Sequence, residues 1–143
     1  MASVARHDSQ SPAVQTLAEH VFRAAALPAL AVERWLRFAW IVKPDPIEVE
    51  WIKRPEFRAI EGDFAGDCDD AATMAAALLL ADPASIAGWE LKLRAIRMPA
   101  DYEFSHVWLS VERGRFRVDI DPIVQLADLP VRGYAEELTL RLA

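Results

Sequence analysis

The segment 69–81 constrains the fold more than any other part of the sequence. It contains neither glycine nor proline; two aspartates open it, and apart from one threonine the remainder is alanine, leucine and methionine. Most of these residues favour helices, and the aspartates fall in the first turn, where the helix dipole stabilises negative charge. A helix that is apolar on nearly every side must be packed on more than one side. We therefore expect this helix at the centre of the domain.

The only cysteine of the chain, Cys68, directly precedes this helix and follows the polar pair Gly66-Asp67. The first N–H groups of a helix lack partners and carry a partial positive charge, which favours a thiolate over a thiol. Cys68 is therefore predicted to be a nucleophile. Two observations oppose this hypothesis: a lone cysteine is often a small buried apolar residue, and the carboxylates of Asp69 and Asp70 disfavour a negative sulfur. The prediction therefore requires a base close to Cys68.

The composition is that of a soluble globular chain. With 143 residues, 53% of them apolar and 27% charged, we expect a single domain over 11–143 and a flexible polar tail at 1–10. A net charge of −6 without a cluster of basic residues argues against a nucleic-acid partner. One cysteine excludes an internal disulfide. No segment has the form of a signal peptide or approaches the ~18 uninterrupted apolar residues of a membrane span, which predicts a cytoplasmic protein without a membrane partner.

Two amphipathic helices are predicted before the central one, at 11–27 and 30–42, and we expect them to pack against it as a hairpin. A long connection rich in proline and glycine follows at 43–66. Connections of this length inside compact domains are often functional. Trp51 is the candidate in this connection for a residue that faces a substrate or assists an oxyanion; an aromatic residue that only packs is the favoured alternative.

After the central helix the apolar residues alternate with polar ones, which is typical of strands. Residues 89–98 form one alternating run, and 105–112 and 115–121 form two more, separated by Arg113-Gly114. A glycine in a two-residue gap predicts an antiparallel hairpin. The sequence thus favours an antiparallel sheet of at least three strands; the type of the terminal element at 134–142 is left open.

The predicted hairpin aligns a histidine with a carboxylate. With Arg113 and Gly114 as the loop, His106 lies opposite Asp121, and Trp108 lies opposite Asp119. Opposed residues share a face of the sheet with Cβ atoms ~4.5 to 5.5 Å apart, close enough for a hydrogen bond. The other face is apolar and is expected to take the core, so the His106 face should be turned toward a cleft.

These residues are the parts of a thiol-nucleophile triad. His106 would take the proton of Cys68, and Asp121 would fix the tautomer of the imidazole and stabilise the imidazolium. Asp119 lies two residues earlier on the same strand face and is the alternative third member. The backbone N–H of Cys68 is a candidate oxyanion donor.

Three short segments carry the candidate nucleophile, base and carboxylate: Gly66-Asp67-Cys68-Asp69-Asp70, Ser105-His106-Val107-Trp108-Leu109-Ser110-Val111 and Asp119-Ile120-Asp121-Pro122. In this order they closely resemble the transglutaminase-like superfamily of papain-like cysteine enzymes, and most of all its small bacterial and bacteriophage members. The resemblance covers roughly residues 44–123, and more loosely the helices before them. Family members commonly have Asp-Pro-Thr where this chain has Asp121-Pro122-Ile123.

The resemblance implies an α+β, papain-like fold, in which N-terminal helices and the central helix pack on the antiparallel sheet. It implies that Cys68 is the nucleophile, His106 the base and Asp121 the third member of the triad. The implied activity is that of a cysteine peptidase, amidase or acyltransferase that forms a thioester and needs no cofactor. Its substrate would be a peptide or protein, including a peptidoglycan stem peptide.

Two other functions fit the sequence. The first is a catalytically silent binding or assembly module that keeps the fold, in a bacterial complex or a phage-derived particle. The second is a divalent cation site, because carboxylates and an imidazole are suitable ligands; its candidate residues are Asp67, Asp69, Asp70, His106 and Asp121. No recognised ligand spacing is present, so the sequence predicts no metal.

Overall fold

The protein has an α+β architecture, as the sequence predicts. A computed structural model of the chain describes residues 1–23, 25–45, 52–97, 106–123 and 136–142. Its helices are α1 Ala2–Asp8, α2 Pro12–Phe22, α3 Pro28–Ala39, α4 Pro55–Glu61 and α5 Cys68–Ala81. Its strands are β1 Ile41–Val42, β2 Ala65–Gly66, β3 Glu90–Arg97, β4 His106–Arg113, β5 Phe116–Ile120 and β6 Glu136–Arg141.

Helix α5 is the central element of the fold. Every residue from 70 to 79 is buried. Helices α1, α2 and α3 contact α5, and strand β4 contacts it as well. A single cluster of buried apolar side chains joins the helices to the sheet. This confirms the expectation that an almost entirely apolar helix must be enclosed on several sides.

The two amphipathic helices are present, and α2 and α3 contact each other as a hairpin would. Both are shorter than predicted. α2 ends at Phe22, where Arg23 leaves the helical backbone, and α3 ends at Ala39, because Trp40 adopts an extended backbone and Ile41 and Val42 pair in parallel with Ala65 and Gly66. Pairing with a distant segment overrides the local preference for helix, and the sequence pattern does not encode that pairing. The connection that follows holds a short helix, α4, which the sequence analysis missed.

The predicted flexible tail at 1–10 is wrong. Residues 2–8 form α1, which packs on α5 and α4 with Ala5 fully buried. Asp8 is also fully buried, and its carboxylate accepts hydrogen bonds from the Arg54 side chain, at 2.6 Å for the shortest, and from the Glu56 N–H at 3.2 Å. The polar composition of the segment therefore reflects an ion pair between the buried Asp8 and the partly exposed Arg54 rather than disorder.

The described strands form a four-stranded antiparallel sheet in the order β5-β4-β3-β6 and, separately, the short β1-β2 pair. The terminal element left open by the sequence is a strand, and β6 pairs with β3 along its length. Pairing with an available sheet edge decides the type of such a short segment. Within the described residues, no helix is long and apolar enough to cross a membrane.

The β4–β5 hairpin is present, but its register differs from the prediction. Arg113 pairs with Phe116, so the loop consists of Gly114 and Arg115. Gly114 has a φ of 59° and stands first in the turn, where the favoured two-residue hairpin turns require positive φ. Ser110 consequently lies opposite Asp119. The pairing is displaced by two residues, an even number, so every side chain keeps its predicted face.

The ion pair that docks α1 yields a stability prediction. We expect Asp8→Ala to lower the free energy of unfolding by about 1 to 2 kcal/mol, because it leaves the Glu56 N–H without its acceptor and removes the Asp8 hydrogen bonds of the partly exposed Arg54. Urea unfolding measures this. The control, Glu19→Ala on the exposed surface of α2, should change stability by no more than about 0.5 kcal/mol. Equal effects of the two substitutions would contradict the docking role of α1.

Candidate active site

Cys68 is the first residue of α5 and is half-buried. Asp67 precedes it as the N-cap residue with an extended backbone, and the Asp67 side chain does not cap the helix. Cys68 therefore lies at the positive end of the helix dipole and is partly exposed. This is the position that the sequence predicts for the nucleophile.

His106 and Asp121 are in direct contact. The distance between His106 Nε2 and Asp121 Oδ2 is 2.5 Å, and only 8% and 2% of the two residues is exposed. The second carboxylate oxygen of Asp121 accepts the N–H of Ile123 at 3.0 Å. The predicted His106–Asp121 hydrogen bond is confirmed, although the observed register makes it a diagonal contact rather than one between opposed residues.

The surroundings of His106 favour its charged form. Burial by itself lowers the pKa of His106, but hydrogen bonds with Asp121 and with Cys68, together with their negative charges, raise it from 6.5 to about 9. His106 is thus protonated at neutral pH. Because Nε2 is held by Asp121, Nδ1 is the ring nitrogen left to interact with Cys68. The structure thus brings His106 and Asp121 into contact, and Cys68 is close enough to His106 to raise its pKa.

Asp119, the alternative third member, is bound elsewhere. Its carboxylate accepts hydrogen bonds from Trp108 Nε1 at 3.1 Å, from the Ser110 hydroxyl and from Arg117 Nε at 2.8 Å. Of the two candidate carboxylates, Asp121 is the one that contacts His106. This face of the sheet is covered beyond His106, because Trp108 is only 3% exposed and Ser110 is fully buried.

A buried ion pair that sequence analysis missed holds the start of α5. Arg58 Nη2 lies 2.6 Å from Asp70 Oδ2, and the two residues are 2% and 3% exposed. Arg58 also donates to three backbone carbonyls in its own connection, those of Lys53, Asp63 and Ala65. A signal was available: an aspartate in the first turn of a buried helix needs a cation. The connection 43–66 contains several basic residues that could supply one, and nothing local singles out Arg58.

Gly66 is required by this ion pair. A Cβ atom at position 66 would lie 2.2 Å from Asp70 Oδ2, far inside van der Waals contact. The carbonyl of Gly66 accepts the indole N–H of Trp40 at 3.2 Å, and the Arg58 guanidinium lies 5.2 Å from the centre of the Trp40 ring. The glycine two residues before Cys68 therefore allows the Asp70 carboxylate to pack directly on the backbone.

The acidic surroundings of Cys68 are largely neutralised. The Arg58 guanidinium compensates the charge of Asp70. Burial, with a hydrogen bond and the negative charge of Asp67, raises the pKa of Asp69 to about 8, so Asp69 is protonated near neutral pH. The carboxylates that seemed to oppose a negative sulfur thus carry much less net charge than the sequence suggests.

The remaining site predictions have mixed outcomes. Carboxylate oxygens of Asp67, Asp69 and Asp70 lie within 4.8 Å of one another, but among the described residues His106 and Asp121 do not belong to this group, so the five-residue cation site does not form. Trp51 lies outside the described residues.

Comparison with known proteins gives no identification. No family model matches the chain, and neither the curated proteins nor the solved structures contain a significant match. The functional argument for this chain therefore depends on its own residues and their geometry.

The buried ion pair predicts a large loss of stability on mutation. Arg58→Met should lower the free energy of unfolding by about 3 to 5 kcal/mol, because it leaves the Asp70 carboxylate buried and uncompensated. Denaturant unfolding is the measurement. In the double variant Arg58→Met/Asp70→Asn much of this loss should be recovered. Glu61→Gln removes an exposed partner of Lys53 and serves as control, with a loss of about 1 kcal/mol or less.

The raised pKa of His106 makes stability depend on pH. Protonation of His106 favours the folded state. Its contribution to the free energy of unfolding is therefore complete below pH 6.5 and is lost as the pH rises through about 9. His106→Gln should therefore cost more stability at pH 6 than at pH 10, by up to about 3 kcal/mol. Urea unfolding across this range tests it. Exposed His20 provides the control, since His20→Gln should show no such difference; a pH-independent loss for His106→Gln would refute the assignment.

Proposed function

We propose that this protein is a transglutaminase-like cysteine hydrolase with a papain-like fold, which cleaves amide or ester bonds through a thioester on Cys68. The observation that carries the proposal is the 2.5 Å hydrogen bond between His106 and Asp121, supported by the interaction with Cys68 that helps to raise the pKa of His106. A protonated imidazole beside a thiol at a helix start is the arrangement in which cysteine enzymes hold a thiolate nucleophile.

In the proposed reaction the Cys68 thiolate attacks the carbonyl carbon, and the electron pair of the carbonyl bond moves to its oxygen. The backbone N–H of Cys68 is our candidate donor to that oxyanion. As the intermediate collapses, protonated His106 transfers a proton to the departing amine or alcohol, and a thioester remains on Cys68. Neutral His106 then takes a proton from water, whose oxygen attacks the thioester and releases the acid.

The substrate class follows from the chemistry of an acyl-enzyme and from the resemblance noted in the sequence. We propose a peptide or protein substrate, such as a peptidoglycan stem peptide, with no cofactor. An amine in place of water in the second step would produce a cross-link instead of hydrolysis. The competing hypothesis of a catalytically silent module would gain support if His106 lay out of reach of Cys68, and the effect of Cys68 on the pKa of His106 favours the enzyme.

A substrate-independent experiment tests the proposal. We expect p-nitrophenyl acetate to give a burst of nitrophenolate and to leave an acetyl group on Cys68, detected by mass spectrometry. Iodoacetamide should alkylate Cys68 of the wild type at pH values well below ~8.5, which is the pKa of an ordinary thiol. His106→Ala should abolish the low-pH alkylation and slow acylation by about 10²-fold or more, because it removes both the positive charge and the general base.

Two variants make the result interpretable. Cys68→Ala must lose the burst and the label, and His20→Ala, an exposed histidine of α2, must retain both. If the wild type and His106→Ala follow the same alkylation profile near the ordinary thiol value, or if Cys68 does not react, the triad is not functional. The silent binding module then becomes the better description.

A further inference from the structure

The aromatic neighbour of the candidate base is held by its own hydrogen-bond network. Trp108 follows His106 by two residues on the same face of β4; the two ring centres are 5.9 Å apart and the planes differ by 19°. The indole is 3% exposed. A buried indole N–H requires an acceptor, and the acceptor here is the carboxylate of Asp119.

The hairpin contains two similar diagonal hydrogen bonds, each between a carboxylate and an aromatic ring on β4. Asp119 lies opposite Ser110 in the β4–β5 ladder, yet its carboxylate reaches diagonally to Trp108. Asp121, two residues further along, reaches diagonally in the same direction to His106. One carboxylate therefore orients the imidazole, and the other orients the ring stacked on it.

We propose that Asp119 is a positioning residue of the active site, which fixes Trp108 as a wall against one face of the His106 ring. The inference depends on the proposed function, because it assigns a role to the pair relative to the catalytic base. Ser110, which is fully buried, donates to the same carboxylate and holds it in place, whereas Arg117 binds it from the exposed side. With its N–H anchored, the indole cannot rotate away without leaving a buried donor unpaired.

The wall acts on His106 in two ways. It restricts rotation of the imidazole about its side-chain bonds, so that Nε2 stays directed at Asp121. It also keeps water from the hydrogen bond between His106 and Asp121, which is electrostatically stronger in a drier environment, and this gain opposes the desolvation that burial imposes on the charged imidazole. Asp119 therefore supports the charged form of His106 without touching it.

The test compares Asp119→Ala with Asp119→Asn, which keeps an acceptor for the indole, and with Arg117→Gln, which removes an exposed partner of the same carboxylate. The readouts are the His106 pKa by NMR titration and the pH profile of Cys68 alkylation. We expect Asp119→Ala to lower the His106 pKa by about one unit and to shift the His106-dependent part of the alkylation profile to lower pH by the same amount. Asp119→Asn should keep the His106 pKa and the alkylation profile close to those of the wild type, and Arg117→Gln should change neither quantity.

Trp108→Phe, which keeps an aromatic ring without the N–H, provides a second route if Asp119→Ala does not fold; it should shift the His106 pKa in the same direction. An unchanged His106 pKa in a folded Asp119→Ala or Trp108→Phe variant would overturn the positioning role. Failure of the proposed function is recognised separately: His106→Ala would then leave alkylation unchanged, whereas the NMR titration of His106 would still report on Asp119.

Discussion

The buried ion pair between Arg58 and Asp70 is the interaction on which the candidate site depends. Its desolvation is expensive and is offset only where the charges are paired and their remaining hydrogen bonds are satisfied. Here the pairing is extensive, because Arg58 reaches three carbonyls as well as Asp70, and Asp70 also accepts the Lys53 N–H at 3.0 Å. The pair thereby ties the connection before α5 to the first turn of the helix, and so determines where Cys68 stands.

The same turn shows how a nucleophile can be placed among aspartates. The carboxylate of Asp70 is compensated by Arg58, the carboxyl of Asp69 is held protonated by burial and by Asp67, and His106 supplies a positive charge at the sulfur. The three residues are affected in different ways: Asp70 by ion pairing, Asp69 by desolvation, and His106 by hydrogen bonding. The formal charge of a sequence motif is therefore a poor guide to the potential at its centre.

The β4–β5 hairpin shows which parts of a register prediction are robust. The predicted loop was displaced, but by an even number of residues, and alternation in a strand preserves faces under such a displacement. His106 and Asp121 consequently remained on one face, and the length of their side chains allowed a diagonal contact. An error of one residue would have placed His106 and Asp121 on opposite faces of the sheet.

The sequence by itself determined the elements that local chemistry dictates: the buried central helix, the amphipathic pair before it, the alternating strands, and the order of Cys68, His106 and Asp121. Tertiary structure decided the rest. It turned the polar segment at 1–10 into a docked helix, selected Arg58 as the partner of Asp70, and tied Asp119 to Trp108 instead of His106. The physical reason is that periodicity and turn chemistry act over a few residues, whereas buried charges find partners across the chain, and their choice depends on which groups the packed core brings within hydrogen-bond distance.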